Sequence, residues 1–247
     1  MKMIHAAAIS TTLVIAMGIG MILPVFLNSS QQAQPLIIML SFSVVKNSSN
    51  VESWCTNLSN MLKEQNVKAT VYFTGAIADR HPDCVTTFQD GIDIGSQTYN
   101  YVNLTSISDY DIQLLEVKKG KEAVDRAGNL VSRVFKAPYG NTDENIYSLL
   151  NRSDIIADFS YELQYNKLYL GQFMKFDLVT YNGSDHPTGF FANLPKTSTP
   201  IVITFDNSVP IDVIDEVISR LKTGNVRLVN ASELTALETT IRGTSQT

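Results

Sequence analysis

The sequence predicts an α/β fold built on a parallel sheet, preceded by an N-terminal transmembrane helix. Three observations carry this reading. Short continuous apolar runs such as Leu36–Leu40 and Pro200–Thr204 suit strands buried on both faces. Segments with apolar residues at helical spacing separate those runs, and the alternation persists along most of the chain. At the start, Ala6 to Leu27 forms an uncharged stretch of 22 residues behind Lys2.

The elements follow in order. A helix over Ala6–Leu27 would rise about 33 Å, enough for the hydrocarbon core. It reads as a signal anchor with a short basic inner end and the remaining chain outside. A cleaved signal peptide is the alternative, and would give a secreted protein, but Phe26 to Gln31 offers a poor cleavage site. Residues 1–34 are therefore anchor and short linker, and 35–247 one domain. Leu36–Leu40 is the first strand. Val51, Trp54, Leu58, Met61 and Leu62 then form one stripe of a helix from Val51 to Gln65. Ala69–Phe73 is β-branched and aromatic, and Gly75 is expected to stop it. A helix from His81 to Gln89 carries Pro82 in its first turn, where a missing N–H costs nothing.

Ile92–Ile94 reads as a strand closed by Gly95, and Ser108–Ala127 as a long helix with Ser108 as N-cap and Gly128 beyond its end. Val134–Phe135 is the next strand, Glu144–Leu150 a helix and Asp154–Phe159 a strand. Tyr161–Thr197 is irregular, with strand fragments and long loops. Pro200–Thr204, the helix Ile211–Leu221 and the strand Val226–Leu228 complete the pattern. In parallel α/β folds, ligand sites gather at the C-terminal ends of the strands.

Composition excludes several classes. With 44% hydrophobic and 17% charged residues the chain can bury a core, which argues against intrinsic disorder. Nineteen basic against twenty-four acidic residues give a net charge of −5, so nucleic acid is not an expected partner. Two cysteines rule out a disulfide-dense mini-domain and a four-thiolate zinc site. In an oxidising compartment Cys55 and Cys84 could pair; the alternative is two buried thiols. Asn-x-Ser/Thr sequons at Asn28, Asn47, Asn57, Asn103, Asn151, Asn182 and Asn230 agree with an exported glycoprotein, or are chance matches in a polar-rich chain. His5, His81 and His186 are too scattered for a three-ligand metal site.

Four segments, in order, resemble the polysaccharide deacetylase family (NodB-homology domain). Ser41-Phe42-Ser43-Val44-Val45 stands where the family has Thr-Phe-Asp-Asp-Gly. Asp93-Ile94-Gly95-Ser96-Gln97-Thr98-Tyr99-Asn100-Tyr101 matches Glu-Ile-Gly-Asn-His-Thr-x-x-His, and Val102-Asn103-Leu104 follows as its tail. Lys136-Ala137-Pro138-Tyr139-Gly140 matches Arg-x-Pro-Tyr-Gly. Val202-Ile203-Thr204-Phe205-Asp206 matches Leu-Leu-x-His-Asp. The resemblance runs from Leu36 to Leu237 and implies a distorted (β/α)7 barrel. It also implies a divalent metal, often zinc, that removes N- or O-acetyl groups from sugars.

The departures fall on the chemistry. The family's base and catalytic histidine are replaced by Ser43 and Phe205, and its ligand positions hold Val44, Gln97 and Tyr101. Valine has no donor atom, an amide oxygen is a weak ligand, and tyrosine would have to lose a proton with an ordinary pKa near 10. The expectation is no metal cofactor. Asp206 and Lys136 are remnants of the site, and Gln97, Tyr101, Lys136, Tyr139 and Asp206, with Phe205, are expected to line the barrel mouth. Lys136 is expected to pair with Asp206 or Asp158; a Ser43–Lys136 nucleophile–base pair is the alternative. The functional expectation is a membrane-anchored, outward-facing polysaccharide deacetylase-like protein that binds glycan or cell-envelope components without catalysis. An active carbohydrate deacetylase with a rearranged site, and a structural subunit of a surface complex, are the alternatives.

Overall fold

In a computed structural model the protein is described over residues 34–88, 91–160, 174–175, 179–182 and 200–244, with backbone alone for 174–175, 179–182 and 238–244. The Ala6–Leu27 run, His5, His186, the Asn28 sequon and most of the irregular stretch lie outside these residues. Among the described residues no helix is long and apolar enough to cross a membrane.

The strands are β1 (Leu36–Val44), β2 (Ala69–Phe73), β3 (Ile92–Ser96), β4 (Val134–Phe135), β5 (Ala157–Asp158), β6 (Met174–Lys175), β7 (Val179–Asn182), β8 (Ile201–Asp206) and β9 (Val226–Val229). All pairings are parallel, in the order β6-β5-β4-β3-β2-β1-β8-β7, and β9 pairs the first half of β1. The helices are α1 (Val51–Glu64), α2 (Gly75–Arg80), α3 (Pro82–Thr86), α4 (Tyr110–Gly128), α5 (Glu144–Asn151), α6 (Ile211–Leu221) and α7 (Ala231–Thr244). The result is an α/β half-barrel with a parallel sheet.

Strand alternation sorts β1 into two faces. Ile38, Leu40, Phe42 and Val44 pack with Trp54, Leu58 and Leu62 of α1 and with Ile214, Val217 and Ile218 of α6. Met39 joins the opposite cluster with Tyr72, Val202 and Val229. Ser41 and Ser43 share the parity of Met39, which brings hydroxyls to the inner side of the sheet.

Several expected boundaries move, each for a local reason. β2 ends at Phe73, before Gly75 as expected, but Gly75 also opens α2, and a side chain there would meet the Gly120 Cα at 2.8 Å. The helix expected over His81–Gln89 shortens to Pro82–Thr86, and α2 takes up the residues before it. Gly95 does not close β3, which continues through it to Ser96. The Tyr72 ring occupies the space that a Cβ at Gly95 would need. Asp109, not Ser108, caps α4: its carboxylate accepts the Asp111 and Ile112 N–H groups at 2.9 and 3.2 Å. Gly128 lies inside that helix, and Asn129 ends it at φ 49°. The irregular stretch contains β6 and β7.

Cys55 of α1 and Cys84 of α3 form a disulfide with Cα atoms 5.5 Å apart. Asn230 is buried, accepts from the Glu233 N–H and donates to the Gly91 carbonyl; these bonds occupy the amide that a glycan would modify.

Candidate functional site

The inner side of the sheet carries a polar cluster at the C-terminal ends of β1, β3, β4 and β8. Lys136 follows β4 directly, and its backbone N–H bonds the Ser96 carbonyl at 3.2 Å. Its side chain runs inward, 2% exposed, and Nζ lies 3.0 Å from Ser41 Oγ, 3.1 Å from Ser43 Oγ and 2.9 Å from Thr204 Oγ1. The Tyr72 ring lies under it, 5.8 Å from Nζ to the centroid. Burial pulls the Lys136 pKa down to about 7, against a smaller upward pull from Asp206. At neutral pH the group is thus divided between ammonium and amine.

Gln97 is buried and donates from Nε2 to Ser43 Oγ at 3.3 Å; its Oε1 has no hydrogen-bond partner among the described residues. The Tyr72 hydroxyl is in the same condition. Burial above all, then the Asp93 and Asp158 carboxylates, push its pKa well up, so it stays a neutral phenol.

At the rim, Asp206 pairs with Lys46 at 3.4 Å and accepts the Ser208 hydroxyl and its N–H. Burial alone would raise this carboxyl; the Ser208 bonds and Lys46 outweigh it and hold it below the usual carboxylate range. Asn207 ties the neighbouring turn together, accepting from the Val45 and Lys46 N–H groups and donating to the Lys46 carbonyl. Tyr101 and Tyr139 bring their rings to 5.1 Å, tilted by 47°, and Tyr139 is 60% exposed. The turn carrying Tyr139 is held by the Ala137 N–H on Ser160 Oγ, itself bonded to Asp158.

Two expectations about placement need correction. Phe205 does not line the mouth: β8 alternation turns it outward, where it stacks on Phe42 at 5.2 Å. Thr204 takes the inward position. Lys136 finds three hydroxyls, while the ion pair of Asp206 is with Lys46. His81, apart from the site, has its ring bonded to Glu52 and Asn47 at 2.8 and 2.9 Å. Sequence reasoning missed Ser41, Thr204, Lys46 and Asn207. The first two were signalled by period two: once Ser43 faces inward, so does Ser41, and the β1–β8 register pairs Ser41 with Thr204.

The profile of the polysaccharide deacetylase family matches residues 31–155, just over half of the chain. The chain belongs to that family. A peptidoglycan-N-acetylglucosamine deacetylase of Bacillus cereus is 26% identical over 176 residues, covering 68% of this chain and 58% of the relative. A family 4 carbohydrate esterase pseudoenzyme from Bacillus anthracis superposes with a TM-score of 0.62 at 14% identity, over 82% of this chain and 66% of that one. Both of these relatives extend beyond what this chain spans. A mutant of a peptidoglycan deacetylase from Bacillus subtilis gives 0.62 at 16%, over 86% and 96%. At such identities the structural likeness speaks to the fold.

The family's divalent metal can be tested against the residues in place. Val44 packs against the helices on the outer face. Gln97 Nε2 is engaged by Ser43, the Tyr101 ring lies against Tyr139, and the centre holds the Lys136 amine. Among the described residues no three His, Cys, Asp or Glu side chains converge. A dication needs several anionic or imidazole donors and is repelled by an ammonium. These residues do not fit the group.

Proposed function

We propose that this chain is a membrane-anchored, outward-facing member of the polysaccharide deacetylase family that binds glycan without the family's metal-dependent deacetylation. The observation that carries the reading is the Lys136 side chain, bonded to Ser41, Ser43 and Thr204 in the interior where base and metal would work. Without a metal no bound water is acidified and no carbonyl oxygen is polarised. With Phe205 turned outward, the histidine's position supplies no acid for a leaving amine.

Binding is supported by what remains at the mouth. Tyr101 and Tyr139 present an aromatic pair, and aromatic faces suit the apolar C–H faces of pyranose rings. The unpartnered Gln97 Oε1 is an acceptor for a ligand donor. The Bacillus cereus relative, by its name, acts on peptidoglycan N-acetylglucosamine, which favours an amino-sugar polymer as ligand. An anchor over Ala6–Leu27 with the domain outside would meet that ligand in the envelope.

The test uses the full-length chain in detergent micelles, mixed with chitooligosaccharides and peptidoglycan fragments, with and without zinc or cobalt. Glycan binding without release of acetate from the N-acetyl groups in either condition is the expected result. Stoichiometric metal binding accompanied by metal-dependent acetate release would overturn the reading. Absence of glycan affinity would turn attention to the scaffold role.

A further inference from the structure

The interior cluster goes beyond the loss of one chemistry, because its parts compose another. Ser43 Oγ lies 3.1 Å from Lys136 Nζ and accepts the Gln97 N–H at 3.3 Å. We propose that Ser43 is an acyl-accepting nucleophile with Lys136 as its base, giving the chain a metal-independent reaction with small O-acyl esters.

The hydrogen-bond inventory supports the assignment. A neutral amine offers two N–H donors and one lone pair, whereas Nζ faces three hydroxyls. One of the three must therefore donate to the amine whenever it is uncharged. Ser43 accepts the Gln97 N–H on one lone pair and keeps its own O–H hydrogen, which lies within reach of the amine lone pair at 3.1 Å. Burial supplies the uncharged form near neutral pH, since it brings the Lys136 pKa to about 7. Ser41 is fully buried, while Ser43 keeps 5% exposure one residue from the C-terminal end of β1. The Gln97 amide, already beside Oγ, is a donor for oxyanion charge developing next to it.

The step balances without an outside reactant other than water. Ser43 Oγ bonds to the acyl carbon as its proton passes to Nζ. The tetrahedral centre then breaks its bond to the alkoxy oxygen, which leaves as alcohol with that proton. Water attacks the Ser43 ester, Nζ takes one of its protons and Ser43 Oγ recovers it, and the carboxylic acid is released. Esters suit this site better than amides, because an alkoxide leaves with less protonation than an amine requires.

The experiment treats the full-length chain with p-nitrophenyl acetate, and separately with a fluorophosphonate, and maps the adduct by peptide mass spectrometry. The expected result is one acyl group on Ser43. Ser43→Ala should lose it, and Lys136→Met should acylate at least about 100-fold more slowly while keeping the wild-type circular dichroism. Acylation of Lys136 itself, of Thr204, or of no residue in the cluster would overturn the proposal. Should a variant fail to fold, the adduct position in the wild-type chain still decides. Glycan affinity, read in the same preparation, is independent of the acyl adduct, so failure here and failure of the binding reading are distinguishable.

Discussion

The rings of Tyr101 and Tyr139 lie 5.1 Å apart, and both residues hold the left-handed backbone, at φ 57° and 61°. Two loops, one after β3 and one after β4, thus accept strain at the same spot to bring two aromatics together. For L-residues with a bulky side chain this conformation costs roughly 1–2 kcal/mol. It is a cost that folding alone gives no reason to meet twice.

If the pair is a sugar platform, Tyr139→Ala lowers glycan affinity by about 0.5–1.5 kcal/mol, a loss of roughly 2- to 12-fold. Tyr139→Gly loses the same affinity, yet is more stable than the alanine variant by about 1 kcal/mol, since glycine meets no penalty at this φ. Calorimetry with a chitooligosaccharide and urea denaturation separate the two effects. Equal affinity of wild type and both variants would remove Tyr139 from the binding face.

The site was legible in the sequence only where side-chain identity decides chemistry. Ser43, Val44, Gln97 and Tyr101 announce the loss of charged donors without any coordinates. Which residues meet was less legible, because it depends on parity within a strand. Phe205 occupies a motif position, yet the period of two sends it to the helix side and hands the interior to Thr204. The partner of Lys136 escapes for a related reason: charge matching offers Asp206 or Asp158, but Lys46 reaches the Asp206 carboxylate from the rim, and Asp158 accepts from Ser160. Among the elements, α1, β2 and α6 stand out by clean periodicity, whereas α2 hides behind Gly75. That glycine reads as a breaker and serves as a contact point.

Lys136 predicts a pH dependence whose sign can be worked out. Its folded pKa is about 7, and an unfolded lysine titrates near 10.5. Between those values the unfolded chain binds more protons than the folded one, so stability rises with pH across that window. Below about 7 both states are protonated and the dependence vanishes. Lys136→Met lacks the group. The stability difference, wild type minus variant, should therefore climb by up to about 1.4 kcal/mol per pH unit above 7 and stay flat below. Urea denaturation of both proteins from pH 6 to 9 tests this; parallel curves would mean that Lys136 titrates normally in the fold.

Gly120 predicts a steric effect in the middle of α4. Away from this fold, Gly→Ala inside a helix gains up to about 1 kcal/mol. Here a Cβ would collide with the Gln97 carbonyl oxygen and meet the Thr98 carbonyl carbon at 2.9 Å. Both are backbone atoms of the segment that delivers Gln97 and Tyr101. Gly120→Ala should therefore destabilise by about 1–3 kcal/mol despite its helix propensity. It should also weaken glycan binding, since the segment must shift to make room. A stabilised variant in thermal denaturation would show that α4 and this segment yield freely.

The Cys55–Cys84 bridge predicts a stability term that belongs mainly to the unfolded chain. A cross-link spanning 29 residues removes loop-closure entropy worth about 3–4 kcal/mol at 25 °C, by the chain-entropy relation. The Cys55→Ala, Cys84→Ala double variant should lose most of that amount in urea denaturation, and the reduced wild-type protein should match it. A loss below about 1 kcal/mol in both would mean that the cross-link is absent or that the unfolded chain is already constrained. Kinetics supply the independent check. The two residues are 0% and 1% exposed, packed with Val51, Leu58 and Val85 in the helix-side core. A reductant reaches the bond only after α1 and α3 separate, so reduction under native conditions should follow the opening of that pair. Raising reductant concentration should then cease to speed reduction once opening is rate-limiting. A rate that stays proportional to reductant would place the bond at the surface.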